Sequence, residues 1–260
     1  MNAFLDWIEG NTPTNSQVQN ALTGTPALFG GNFQAVSVAQ KTVGYVPGSL
    51  AFTPELLKAI DFVDNSIGQV VSSLKDKKIL DDTLIIVASK HGQAPINPEL
   101  YGKVDRALIA PATGVNVSFI TTDDIALIFL QDHKDTQAAV DALNRNRDTL
   151  KIADIISGER LTALGYGDPL KDPAVPDIIV RPELGIIYTT STSKIAEHGG
   201  LSDDDRKVAC FVSNPGLQKT KFPHRVSTRQ VAPTILKSLG LDPDSLQGAV
   251  AEGTHLLDGF

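Results

Sequence analysis

An α/β fold with parallel strands is what this sequence predicts, on three observations. Thr83-Leu84-Ile85-Ile86-Val87 is a continuous branched apolar run, the pattern of a strand covered on both faces. A long helical repeat of apolar residues precedes it, and the polar turn Ser89-Lys90-His91-Gly92 follows at once. Much later the turn Glu197-His198-Gly199-Gly200 repeats the His-Gly form, so two of the five histidines sit beside glycine. Taken alone, His91 reads more simply as a surface loop histidine than as a site residue, because any strand-to-helix unit ends in polar residues and a glycine. The second turn shifts that balance. A glycine has no Cβ, so the backbone beside each histidine can crowd a ligand, and ligands of open α/β sheets bind at the carboxyl edge of the strands.

The elements follow in order. Phe4 to Ile8 reads as a short helix, followed by a polar Asn/Thr/Ser/Gln linker. Residues 24–53 are rich in glycine, proline and small polar residues, with Gly30 to Ser37 the best strand candidate. Thr53 is an N-cap and Pro54 a first helical residue, and Leu56, Ile60, Val63, Ile67, Val71 and Leu74 then recur at three- and four-residue spacing, so one helix face is buried. After the strand at 83–89, Gln93 to Pro98 is an extended loop, since each proline restricts the residue before it. Asn116 to Thr121 and Ile125 to Leu130 form a hairpin around Thr122-Asp123-Asp124. Asp135 to Arg147 is a helix, and Ile152 to Ile156, Asp177 to Arg181 and Gly185 to Tyr188 are short strands. Val208 to Ser213 returns to the main sheet, with Cys210 as a buried strand residue. Thr228 to Leu239 is the closing helix and Gly240 its stop.

With 42% hydrophobic and 20% charged residues the chain has the composition of an ordinary globular protein. A net charge of −7 without a clustered basic patch argues against a nucleic-acid duplex as partner; Lys75-Asp76-Lys77-Lys78 is a helix-end run that complements the helix dipole. Cys210 is the only cysteine, which excludes an internal disulfide. No stretch reads as a signal peptide or reaches the length of a membrane span, so no membrane partner is expected and localisation stays open.

Phe62, Asp64, Gly68, Leu74, Leu80 and Asp81, leading into Thr83 to Val87 and Ser89-Lys90-His91-Gly92, resemble the type I phosphodiesterase/nucleotide pyrophosphatase branch of the alkaline phosphatase superfamily. His198-Gly199-Gly200 resembles that family's later metal-histidine turn, and Val226 to Leu236 with Leu239-Gly240-Leu241 its closing helix. The resemblance covers about residues 30–260 and only the second half of a full family member. It implies an alkaline-phosphatase-like sandwich, a mixed and mainly parallel sheet between helices, truncated at the amino terminus. Residues 1–94 and 196–260 would form the core and 95–195 a small inserted α+β cap. Family members are often secreted or periplasmic.

The same resemblance implies metal-dependent hydrolysis of a phosphate mono- or diester, with a small-molecule phosphate ester as substrate and a divalent metal, zinc, as cofactor. His91 and His198 would each be a metal ligand. Lys90 stands where the family turn, Ser-Asp-His-Gly, has its aspartate. A protonated ammonium cannot coordinate a metal, but it can stabilise phosphate oxygens in place of a cation, which makes Lys90 the candidate catalytic residue. The family's Thr or Ser nucleophile and first metal aspartate precede the residues matched here. Its Asp-x-x-x-His pair should fall near residues 30–44, where only Asn32, Gln34, Ser37 and Gln40 are found. The alternative is therefore a catalytically inactive form acting as an anion-binding or interaction module, with self-association or an amino-terminal half as partner. Asp61 and Asp64 read as surface carboxylates, and Ser202-Asp203-Asp204-Asp205, calcium-like in composition but without the glycine and distal glutamate of a calcium loop, as a helix start or solvated acidic turn. His133, His224 and His255 have no ligand partner at recognisable spacing.

Overall fold

The long apolar repeat folds as a helix, Pro54–Asp76, in the computed structural model, which describes residues 1–13, 16, 21–96 and 102–260. The expected linker between the first helix and residue 21 and the loop residues Asn97 and Pro98 lie largely or wholly outside the described residues. Thr53 caps the helix, its Oγ1 accepting from the Leu56 backbone N–H at 3.3 Å. Leu56 and Leu74 are almost fully buried, and Ser66 fills the same stripe, whereas Ile60 is exposed.

Strands follow in chain order as β1 (Ile85–Ala88), β2 (Ala94–Pro95), β3 (Gly102–Val104), β4 (Val117–Thr122), β5 (Ala126–Leu130), β6 (Ile152–Ser157), β7 (Ile178–Pro182), β8 (Ile186–Tyr188), β9 (Ala196–Glu197) and β10 (Cys210–Ser213). The chain divides into two units, residues 1–33, 61–90 and 209–260, and residues 34–60 and 91–208. Helices and strands are mixed along the chain. The expected mainly parallel pairing differs: among the described ladders only β3 with β8 runs parallel. An apolar run marks a strand, but it carries no information about the direction of its neighbour; in β1 no residue is fully buried.

In the first unit, Phe4 and Trp7 of the helix Asn2–Glu9 gather Phe29 and Phe33 into an aromatic cluster, and Phe33 meets Phe62 edge-on. Strand β1 pairs antiparallel with β10, from Ile85↔Ser213 to Ala88↔Cys210. Cys210 is only half-buried, and its neighbour Phe211 is 66% exposed, so β10 is not the wholly covered strand its apolar run suggests. The last helix, Val231–Ser238, follows a capping box between Ser227 and Gln230.

The second unit holds the main core, built on the antiparallel sheet β4-β5-β7-β6. Ala126, Ile128 and Leu130 with Ile178 and Val180 face one cluster, which Ala139 and Leu143 of the helix Thr136–Arg145 cover. Leu127 and Ile179 face the opposite cluster, with Ile156 and Leu161. Both sheet faces are covered, which is why these strands read as apolar runs and not as alternations. Ile152 and Ile155 share a face although they are three apart, because a register shift between Ile152 and Asp154 resets the alternation. The expected hairpin forms, with Phe119 opposite Phe129.

Where a strand is expected at Gly30 to Ser37, the chain instead forms a helix, Ala35–Thr42. Its Ala39 is buried, and its next two residues engage partners far along the chain, so tertiary contacts outweigh the β-branched character of Val36 and Val38.

Candidate functional site

Strands β2 and β9 pair antiparallel with Ala94 opposite Glu197, and the Ile96 N–H donates to the Ile195 carbonyl at 2.9 Å. In an antiparallel pair, the residues before one strand and after the other lie at the same end. That places His91 beside His198, with ring centroids 3.8 Å apart and planes inclined by 23°, a stacked pair. The Nδ1–H of His91 donates to the Gly92 carbonyl at 2.7 Å, which fixes the tautomer and leaves Nε2 as the nitrogen with a lone pair in the neutral ring. Lys90, the third residue singled out from the sequence, is exposed.

The turn holding His91 is set by close backbone packing. The Gly92 N–H donates to the Asp205 carbonyl at 2.7 Å, and a Cβ on Gly92 would lie 1.8 Å from the Asp204 carbonyl oxygen. Residues 203–206 are a helical turn whose Ser202 cap accepts from the Asp205 N–H, as the sequence suggests for a helix start. Next to Gly92, Gln93 is buried and donates from Nε2 to the Ser37 carbonyl at 3.2 Å and to Gln40 Oε1 at 3.1 Å. Gln40 in turn donates to the Tyr45 hydroxyl at 3.1 Å. Burial, with the charge of Asp204, pushes the Tyr45 phenol up against the opposing effect of Gln40. So Ser37 and Gln40, in the segment where the family pair was sought, join the site as neutral supports of the histidine turn.

The other turn rests on a buried carboxylate. Glu197 is 1% exposed, and its Oε2 lies 3.0 Å from Lys41 Nζ while Oε1 pairs with Lys194. The His198 N–H also donates to Oε2, at 3.3 Å. Burial raises the Glu197 carboxyl, but the Lys194 and Lys41 ammoniums outweigh it and hold the group below the usual glutamate range. Asp123, 3.9 Å from Lys194, is pushed up by its own burial and by the charge of Glu197. The sequence pattern assigns no site role to Lys41, Lys194 or Glu197, places Asp124 only in a hairpin turn and reads Asp205 as part of an acidic helix start. Glu197 was the one with an available signal, since it directly precedes His198.

His133 and His224 do have carboxylate partners. His133 Nδ1 lies 2.5 Å from Asp177, itself buried and accepting from the Leu130 N–H, and His224 pairs with Asp258. The absence of recognisable spacing at those positions is real, because these partners lie 44 and 34 residues away.

The two histidines do not by themselves close a metal centre. Stacked imidazoles hold their nitrogens side by side, whereas a tetrahedral ion needs donors that converge on it. Among the described residues no three or more His, Cys, Asp or Glu side chains gather as ligands.

Residues 2–205 match the family model for type I phosphodiesterase/nucleotide pyrophosphatase. Of solved structures, the chain is similar to human ectonucleotide pyrophosphatase/phosphodiesterase 5, with 15% identity and a TM-score of 0.59 over 76% of this chain and 51% of that one. It is also similar to the murine counterpart, in an inactive form in complex with AMP, with 13% identity and a TM-score of 0.63 over 93% of this chain and 58% of that one. At such identity the likeness is one of fold. The chain spans between half and three-fifths of the length of these relatives. A comparison with curated protein sequences gives no match.

Proposed function

The chain belongs to the type I phosphodiesterase/nucleotide pyrophosphatase family, and from that premise we propose that it serves the hydrolysis of small phosphate esters, with a nucleotide monophosphate ester as the substrate class. The murine neighbour's complex with AMP supports that class. Divalent-metal dependence is general in the family; zinc is our proposal, with His91 and His198 at the family's metal-histidine positions and Lys90 as the cation that faces phosphate oxygens. Residues 95–195 would be the cap on the core. The observation that carries the reading is the stacking of His91 on His198 at 3.8 Å, which brings two turns of the family pattern to one point.

The protein groups have definable tasks. Gln93 and the Gly92 N–H fix the first turn, and the Lys41–Glu197–Lys194 triad fixes the second. A phosphoryl-transfer site needs an activated nucleophile and cations on the transferring group. The metal would supply that charge when bound, but two side-by-side imidazoles are a partial ligand set, so no step through it follows from these residues. One feature favours a second reading, a non-hydrolytic anion-binding module: Lys90 replaces a carboxylate with an ammonium.

The test is hydrolysis of aryl phosphate mono- and diesters by the 260-residue chain across zinc and manganese. Because two imidazoles are a partial ligand set, rates hardly above background, unchanged by His198→Ala and Lys90→Asp, are expected of these residues on their own and would favour the anion-binding reading over hydrolysis. Robust turnover abolished by His198→Ala would show that the chain carries a complete site. A separate expectation concerns association. Phe211 is 66% exposed on β10, and β10 has only β1 as a ladder partner among the described residues. Exposed apolar strands recruit further strands, so sedimentation should show self-association of the chain; a monodisperse monomer would count against an uncovered strand.

A further inference from the structure

Asp124 and Asp205 are 7% and 4% exposed, and each has an Oδ1 atom with no hydrogen-bond partner. Both line a cavity of about 50 Å³, together with Ser202, Leu201, Ala94 and Pro95. Their Oδ2 atoms converge on Gly200, where a Cβ would sit 2.6 Å from Asp124 Oδ2 and 2.8 Å from Asp205 Oδ2. Ser202 Oγ donates to Asp205 Oδ2 at 2.6 Å. The geometry points to a binding site for a hard divalent cation, calcium or magnesium, held by Asp124, Asp205 and the Ser202 hydroxyl.

Three arguments converge. Buried carboxylate oxygens without partners are unfavourable, and two carboxylates that face the same glycine repel each other as well; a cation bound to both Oδ1 atoms removes both costs at once. The donor set is all oxygen, which selects hard ions over zinc. A water needs about 10–15 Å³ of such space, so the cavity holds an ion with a few of its waters, as magnesium in particular retains them. Arg181 also lines the cavity, but its guanidinium is directed to Asp154 at 3.9 Å.

Burial, followed by the hydrogen bond and charge of Asp205, pushes Asp124 up to about 8. Without a cation Asp124 therefore keeps a proton at neutral pH, and cation binding must release it. The site also has a structural consequence. Asp205 receives the Gly92 N–H through its carbonyl, and Gly200 lies two residues past His198, so an ion here would stiffen both histidine turns.

Thermal unfolding and calorimetry of the whole chain at pH 7, with calcium, magnesium and, for comparison, zinc, decide the matter. Expected is a rise in Tm of roughly 5–10 °C with calcium or magnesium at about a hundredfold excess over Kd, with proton release on binding. Asp124→Asn and Asp205→Asn, which keep shape and fold, should abolish the rise, and His198→Ala should leave it intact. No response of the wild-type chain to millimolar calcium or magnesium overturns the proposal, as does a response that survives both Asn variants or is lost in His198→Ala. Stability that falls as pH rises from about 4 to about 8, with no cation response, would mean that a shared proton alone holds the pair. The readout is independent of hydrolysis, so it stands or fails apart from the phosphoesterase reading.

Discussion

Gly92→Ala should destabilise the chain by about 3 kcal/mol or more and lower Tm by roughly 10 °C. The added Cβ would come within 1.8 Å of the Asp204 carbonyl oxygen, and the atom it meets is backbone, which cannot rotate aside. The same displacement would break the hydrogen bond from the Gly92 N–H to the Asp205 carbonyl. Gly68 provides the control. It lies inside the helix Pro54–Asp76 with nothing within 4 Å of a built Cβ, so Gly68→Ala should stabilise by about 0.5–1 kcal/mol. Thermal unfolding of both variants followed by circular dichroism checks the pair of signs. Equal effects at the two glycines would mean that the turn is not packed against residues 204–205.

The second large effect is expected at Glu197. Glu197→Gln removes the charge that two ammoniums share and leaves Lys41 and Lys194 facing a neutral, buried amide. Breaking a buried ion pair from one side costs about 3–5 kcal/mol, and the partial exposure of both lysines brings the expectation below that range, to roughly 2–3 kcal/mol. Its pH dependence has a definite sign. The Glu197 carboxyl is held below its ordinary value in the folded chain, so the native state binds fewer protons than the unfolded one. The stabilisation is therefore complete above the unfolded value of about 4.3 and is lost as pH falls through the lower folded value. Denaturant unfolding of wild type and Glu197→Gln from pH 7 downwards should show the two curves converging at acid pH. A gap that stays constant down to pH 3 would show that packing, and not charge, accounts for the loss.

Local patterns in the sequence were sufficient where one element's own residues decide its state. Thr53, Pro54 and the apolar stripe from Leu56 to Leu74 specify a helix through capping and a repeat near 3.6, and the helix forms over Pro54–Asp76. Thr122-Asp123-Asp124 between two apolar runs specifies a hairpin, and β4 and β5 pair around it. The likeness of the His91 and His198 turns to a known family pattern was also local, being carried by adjacent residues. Ala35 to Thr42 was not legible, because a short apolar and polar mixture fits either period, and its helix is decided by Gln40 and Lys41 reaching Gln93 and Glu197. Strand direction was likewise invisible, since burial on both faces leaves the same apolar signature whichever way the neighbour runs.

What the sequence by itself determined is the apolar strands of the sheet β4-β5-β7-β6, the long helix and the two glycine-flanked histidines. Only the tertiary structure decided that those histidines stack, that Glu197 lies between Lys41 and Lys194, and that Asp124 meets Asp205 over Gly200. The physical reason is common to all three. Each depends on segments far apart in the chain, Lys41 with Glu197, His91 with His198 and Asp124 with Asp205, and the energy of a buried charge or a stacked ring is set by what surrounds it in space, which no local spacing encodes.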